Sequence, residues 1–122
     1  MRVAIVGASN DRSKYGNKAL RSYQAQGHEV IPVNPREPEV EGIQSYSTVE
    51  DIPGEIDSVL FYVPPRIGLT LLEGIARKKV GEVFLNPGTE SAEILVKAQE
   101  LGIKVVQACA IIAIGDSPVH YR

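Results

Sequence analysis

Short apolar runs alternate along this chain with longer stretches whose apolar residues recur every three or four positions. Residues 3–6 (VAIV) form a continuous apolar, largely β-branched run, as expected for a strand buried on both faces of a parallel sheet. Residues 15–26 carry Ala19, Leu20, Tyr23 and Ala25 as an imperfect helical stripe, and Gly27 supplies the stop. A second short strand is expected over 29–33, where Pro32 predicts weak pairing or a position near an edge. Beyond the loop of residues 34–38, residues 42–47 read as a short third strand. Residues 48–52 then read as a single helical turn before Pro53-Gly54.

The second half repeats the alternation more clearly. Residues 58–63 (SVLFYV) are a core strand stopping at Pro64-Pro65, and residues 67–79 place Leu71, Leu72, Ile75 and Ala76 on one helical face. Residues 82–85 form a strand ending at Asn86-Pro87-Gly88. Thr89 or Ser91 can cap a helix that runs to Leu101, with Ile94, Leu95 and Ala98 on its apolar side. Gly102 ends it, and residues 103–106 are the last strand. The apolar residues 110–114 are expected to close the core rather than to form a subunit contact, and no oligomeric state can be read. Five alternations with short connections predict an α/β fold: a Rossmann-like, doubly wound parallel sheet in one three-layer domain over residues 1–122.

Composition narrows the function classes. At 122 residues the chain suits one domain with one core, and 43% hydrophobic with 23% charged residues is ordinary for a globular protein. The formal net charge is -2 with basic residues scattered, which argues against a nucleic-acid partner. The cluster Arg77-Lys78-Lys79 is best read as complementing a helix dipole. No apolar run approaches the roughly 20 residues that span a bilayer, so no membrane partner is expected. MRVAIVG is too short for a signal-peptide core. The single cysteine, Cys109, excludes an intrachain disulfide and fits a reducing cytoplasm, and the two histidines show no metal-ligand spacing.

Ligands of such sheets bind outside the carboxyl ends of the strands. Those ends read Gly7-Ala8-Ser9-Asn10, Val33-Asn34-Pro35, Val63-Pro64-Pro65, Asn86-Pro87-Gly88 and Ala108-Cys109. Turns use such residues in any case, but the repeated lack of a large side chain leaves room for an extended ligand. A dinucleotide fingerprint would read G-x-G-x-x-G, with an acid about 20 positions on to hold the ribose. Here Gly7 is followed by Ala8-Ser9-Asn10-Asp11-Arg12, and Asn34 stands where the acid belongs. NAD is disfavoured and a P-loop is absent. A phosphate on the N–H groups at the helix N-terminus stays open, with Lys14 and Arg12 near enough to supply counter-charge.

Several stretches match a known pattern together: VAIVGAS followed by Lys14-x-Gly16, GHEVIPVNP, Gly42 with Tyr46, Glu50-Asp51-Ile52-Pro53, IDSVLFYVPP, the glycine of FLNPG, and GIKVVQACA. On these the chain resembles the stand-alone CoA-binding proteins, single Rossmann-like domains similar to the CoA-binding domain of the succinyl-CoA synthetase α subunit. The resemblance implies coenzyme A as the ligand. Gly7, Ala8 and Ser9 would take the diphosphate, with Lys14 as a phosphate partner. Val33, Asn34 and Pro35 would border the adenosine, and Val63, Pro64 and Pro65 would line the pocket beside it. Asn86, Pro87, Gly88 and Cys109 would lie toward the pantetheine arm. Arg36 adds electrostatic support by its place in the sequence.

Catalysis would need a nucleophile with a base, or paired carboxylates. Cys109, among Val105, Val106, Ile111 and Ile112, reads as a buried structural residue. The resemblance places the synthetase's phosphorylated histidine in a domain outside this chain. The expected function is non-catalytic binding of CoA or acyl-CoA, as carrier, sensor or regulator. One alternative is a partner subunit or remnant of an acyl-CoA synthetase or thiol-transfer enzyme using Cys109. The other is an NAD- or adenylate-binding domain, against which Asn34 counts.

Overall fold

The computed structural model describes residues 1–122. In chain order the elements are β1 (Arg2–Val6), α1 (Tyr15–Ala25), β2 (Glu29–Val33), β3 (Glu39–Val40), β4 (Ile43–Gln44) and β5 (Ser58–Phe61). They continue with α2 (Pro65–Lys78), β6 (Glu82–Leu85), α3 (Ala92–Glu100), β7 (Val105–Gln107) and α4 (Ala110–Ala113). Five strands form one sheet in the order β2-β1-β5-β6-β7, and every pair is parallel.

Both faces of this sheet are buried, which is why its strands read as unbroken apolar runs. Val3 and Ile5 point to one side, where they meet Leu20 and Tyr23 of α1 and Ile111 of α4. Ala4 and Val6 point to the other, toward Leu72 and Ile75 of α2 and Ile94 of α3. Leu72, Ile75 and Ile94 are essentially inaccessible to solvent, and burial of each contributes about 2 kcal/mol. The expected doubly wound, three-layer α/β domain is the fold observed.

Details depart from the sequence reading for local reasons. The helix expected from residue 67 begins at Pro65, because proline at the first helical position loses no hydrogen bond and arrives with its φ preset. Residues 42–47 do not join the main sheet. Ile43–Gln44 pairs antiparallel with Glu39–Val40 in a small hairpin, and only Tyr46 bridges back to Val33. Pro32 does lie on an edge strand: its carbonyl accepts from Tyr46 N at 3.0 Å, so its missing N–H faces the outer side of β2. Of residues 110–114, expected to close the core, Ala110 and Ile111 are fully buried and do so, whereas Ile112 and Ala113 are exposed. Arg77 pairs with Glu50 at 3.0 Å, and Lys78 donates to the Ile52 carbonyl. No helix is long and apolar enough to cross a membrane.

From β1 the chain moves to β2 on one side, and the sheet continues through β5 on the other. The connections leaving the carboxyl ends of β1 and β5 therefore diverge, and a crevice opens between them.

Candidate functional site

The floor of that crevice is the turn after β1. Gly7 adopts φ +91°, and a Cβ there would sit 2.6 Å from the Tyr62 carbonyl oxygen. Gly16, in the first turn of α1, comes equally close: its Cβ would lie 2.6 Å from the Gly7 oxygen. The two glycines bring the end of β1, the chain after β5 and the start of α1 to backbone contact. Between them Ser9 Oγ accepts from Asp11 N at 3.0 Å, and Asp11 Oδ1 accepts from Ser13 N and Oγ at 3.0 and 2.6 Å. The Ser13 hydrogen bonds hold the Asp11 carboxyl below its ordinary pKa. The N–H groups of Ala8, Ser9 and Asn10 meet no acceptor within the protein.

Two asparagines pin the neighbouring strand ends. Asn34 donates to the Ala8 carbonyl at 2.8 Å and accepts from Arg36 N at 2.9 Å. Asn86 is 3% exposed; it donates to the Phe61 carbonyl at 2.9 Å and accepts from Ala110 N at 2.8 Å. Thr89 Oγ1 donates in turn to the Asn86 carbonyl at 2.7 Å. These amides hold β2, β6 and α4 to the central strands, each spending one N–H and one lone pair of its oxygen on the protein's own backbone.

Two clefts open along this edge. The larger, of about 910 Å³, is walled by Tyr62, Pro87, Thr89, Cys109, Ile112 and Pro118 among others. The smaller, of about 660 Å³, lies between Val33-Asn34-Pro35-Arg36 and the segment from Ser47 to Glu50. Gly7, Lys14, Val63 and Pro64 line both, so the clefts are two arms of one groove that meet at the β1–α1 turn. Lys14 is exposed at this junction and engages no carboxylate in an ion pair.

Most of the residues singled out from the sequence converge on this groove. Asn86, Pro87, Gly88 and Cys109 stand in the larger arm, and Val33, Asn34 and Pro35 in the smaller. Three do not line it with side chains. Ala8 is fully buried in the core, Ser9 caps its own turn, and Pro65 opens α2. Arg12, suggested as counter-charge, instead reaches Glu41 of the β3–β4 hairpin at 3.5 Å.

Sequence reasoning missed Tyr62, Ser13, Tyr15, Thr89, Ile111, Ile112 and Pro118. Tyr62 was read as part of the strand body, yet β5 ends at Phe61, which pairs with Val6; Tyr62 is therefore level with Gly7. Counting both strands to a common end would have found it. Its buried hydroxyl has no partner, and burial raises its pKa far above that of an ordinary phenol. No group of three or more His, Cys, Asp and Glu is placed to hold a metal ion.

A family model for the CoA binding domain matches residues 1–115. The alpha subunit of the ADP-forming acetate–CoA ligase II of Pyrococcus furiosus is 33% identical over 115 residues, covering 85% of this chain and 25% of that subunit. An ADP-forming acetate–CoA ligase I of Archaeoglobus fulgidus is 30% identical over 114 residues, 85% of this chain and 17% of the ligase. The chain thus spans a quarter or less of these two relatives. Among solved structures, a hypothetical protein from Pyrococcus horikoshii superposes with a TM-score of 0.86 at 32% identity, covering 90% of this chain and 78% of that one. An acetyl-coenzyme A synthetase of Candidatus Korarchaeum cryptofilum, solved with phosphate and ADP, superposes with a TM-score of 0.77 at 28% identity over 88% of this chain and 25% of that one. From its first residue to residue 115, this chain belongs to the CoA-binding domain family.

Proposed function

We propose that the chain binds CoA or acyl-CoA across the whole groove and performs no chemistry of its own, acting as a carrier, sensor or regulator in the cytoplasm. The observation that carries this reading is the meeting of two unlike arms at a turn with unengaged N–H groups and Lys14. A ligand with phosphates at its middle and a different group at each end matches that layout. The diphosphate rests on the Gly7–Asn10 turn, where free N–H groups and the start of α1 favour an anion. The adenosine occupies the smaller arm beside Val33, Asn34 and Pro35, with Arg36 supplying charge. The pantetheine arm runs past Val63 and Pro64 toward Asn86, Pro87, Gly88 and Cys109.

NAD shares the central diphosphate, but β2 is followed by Asn34, an amide already bonded to the Ala8 carbonyl and Arg36 N. No acid stands at that strand end to hold a ribose diol, and the two acids of the smaller arm, Glu50 and Glu73, are paired with Arg77 and Lys97. A second reading rests on Cys109, which lines the larger arm: the chain would be a partner subunit of an acyl-CoA synthetase or thiol-transfer enzyme, with the remaining catalytic residues elsewhere. Native mass spectrometry of the purified protein tests the first reading by looking for a CoA-sized adduct. Cys109→Ala separates the two, since a binding module keeps the adduct and a thiol-transfer partner loses its activity.

A further inference from the structure

Resting on the reading above, in which the larger arm receives the pantetheine end, we propose that this arm selects the thioester rather than free CoA, and that its preferred ligand carries an apolar acyl chain. The larger arm is the roomier of the two, about 910 against 660 Å³, although a pantetheine arm is a thin chain and adenosine a bulky one. Space remains beyond the thiol. Of the polar side chains at that end, Asn86 is engaged by the Phe61 carbonyl and Ala110 N and Thr89 by the Asn86 carbonyl, while the Tyr62 hydroxyl is buried without a partner. The rest of the far wall is apolar, formed by Pro87, Cys109, Ile111, Ile112 and Pro118.

Ile112 is the clearest mark of an unfilled contact. It follows the fully buried Ile111 in α4, yet it is 63% exposed on the rim of this arm; Tyr15, 59% exposed, stands on the α1 side. Single exposed apolar residues are common, but two on the rim of one apolar cleft describe a surface that a chain can cover. The wall behind them is fixed. Asp116 accepts from Ser22 Oγ of α1 at 2.6 Å, which ties the tail carrying Pro118 to the body of the domain. A hydrocarbon chain leaving the thioester would cover Ile112 and Pro118 without stripping water from any polar side chain not already engaged.

Calorimetric titration with CoA, acetyl-CoA, butyryl-CoA and hexanoyl-CoA tests this. Affinity is expected to rise with chain length by up to about fourfold per methylene buried. Ile112→Ser is expected to flatten that slope, whereas Val96→Ser, 56% exposed on α3 outside both arms, leaves it intact. Equal affinity for CoA and all three thioesters overturns the inference and leaves the CoA reading standing. A full slope in Ile112→Ser overturns the assignment of the acyl chain to this arm. Absence of binding by all four ligands overturns the CoA reading, and the inference with it.

Discussion

The side-chain amide of Asn17 donates to the carbonyl oxygen of Ser9 at 2.7 Å, from a position with no solvent exposure. The same nitrogen reaches Glu41 Oε2 at 3.0 Å, and the amide oxygen accepts from Arg21 Nε at 2.7 Å. One buried amide thus turns the Ser9 carbonyl toward the domain and ties that turn to the β3–β4 hairpin.

Replacing Asn17 by alanine strands the Ser9 carbonyl and takes one acceptor from Arg21, which keeps the Arg12 carbonyl. The expected cost is about 2 kcal/mol, read as a lower urea midpoint with an unchanged slope. CoA binding weakens as well, because the turn loses its anchor. An unchanged midpoint would show that the hydrogen bond has no structural role.

Gly16→Ala sets two effects of opposite sign against each other. Inside a helix, alanine is favoured over glycine by about 1 kcal/mol. Here the added methyl would stand 2.6 Å from the Gly7 backbone oxygen, where no flexible side chain can yield. Steric crowding of this kind costs about 1–3 kcal/mol and disturbs the groove floor. The net expectation is a less stable protein that binds CoA poorly. A stabilised variant would mean that α1 shifts freely against β1.

Asp116 accepts hydrogen bonds from Ser22, Tyr121, His120 and the N–H of Ser117, which hold its carboxyl well below the ordinary range. Because its folded-state pKa lies below the unfolded value of 3.8, the stabilisation is present above that value and is lost as pH falls below about 4. Asp11 and Glu73 are depressed too, so the whole protein weakens in acid. Asp116→Asn isolates one contribution: its melting temperature should fall less steeply than that of the parent below about pH 4. Parallel curves would show that the tail is not held through the charged carboxylate.

The parts of this fold visible in the sequence are those set by local chemistry. Apolar runs become strands because both sheet faces are covered, and Gly27 and Ser91 mark helix boundaries through a positive φ and a capping hydroxyl. The strand ends were readable for the same reason, and Lys14, Val63 and Pro64 fell at the junction of the groove. What was not readable depends on distant partners. Nothing local signals that Asn34 and Asn86 would turn their amides onto neighbouring backbone, since Ala8 and Phe61 lie 26 and 25 positions away. The Ser22–Asp116 contact joins residues 94 positions apart and brings Pro118 to the groove. Residues 42–47 read as one short strand, and the hairpin of residues 39–40 with 43–44 stays hidden because two-residue strands carry no period to read.

Lys14→Ala removes the cation at the junction of the two arms. A charge-assisted contact of this kind accounts for roughly tenfold in affinity, and the difference from the parent should shrink as salt is added. Lys14→Arg keeps the charge and should restore part of the loss. If the alanine variant binds CoA as the parent does at low salt, the diphosphate lies elsewhere.

The central claim is that one groove, joined at Gly7 and Lys14, takes CoA in preference to NAD. Calorimetric titration of the purified chain with each ligand tests it most directly. The account predicts saturable one-to-one binding of CoA or acetyl-CoA and much weaker binding of NAD. Failure of both CoA and acetyl-CoA to bind at millimolar concentration, or tighter binding of NAD, would contradict it.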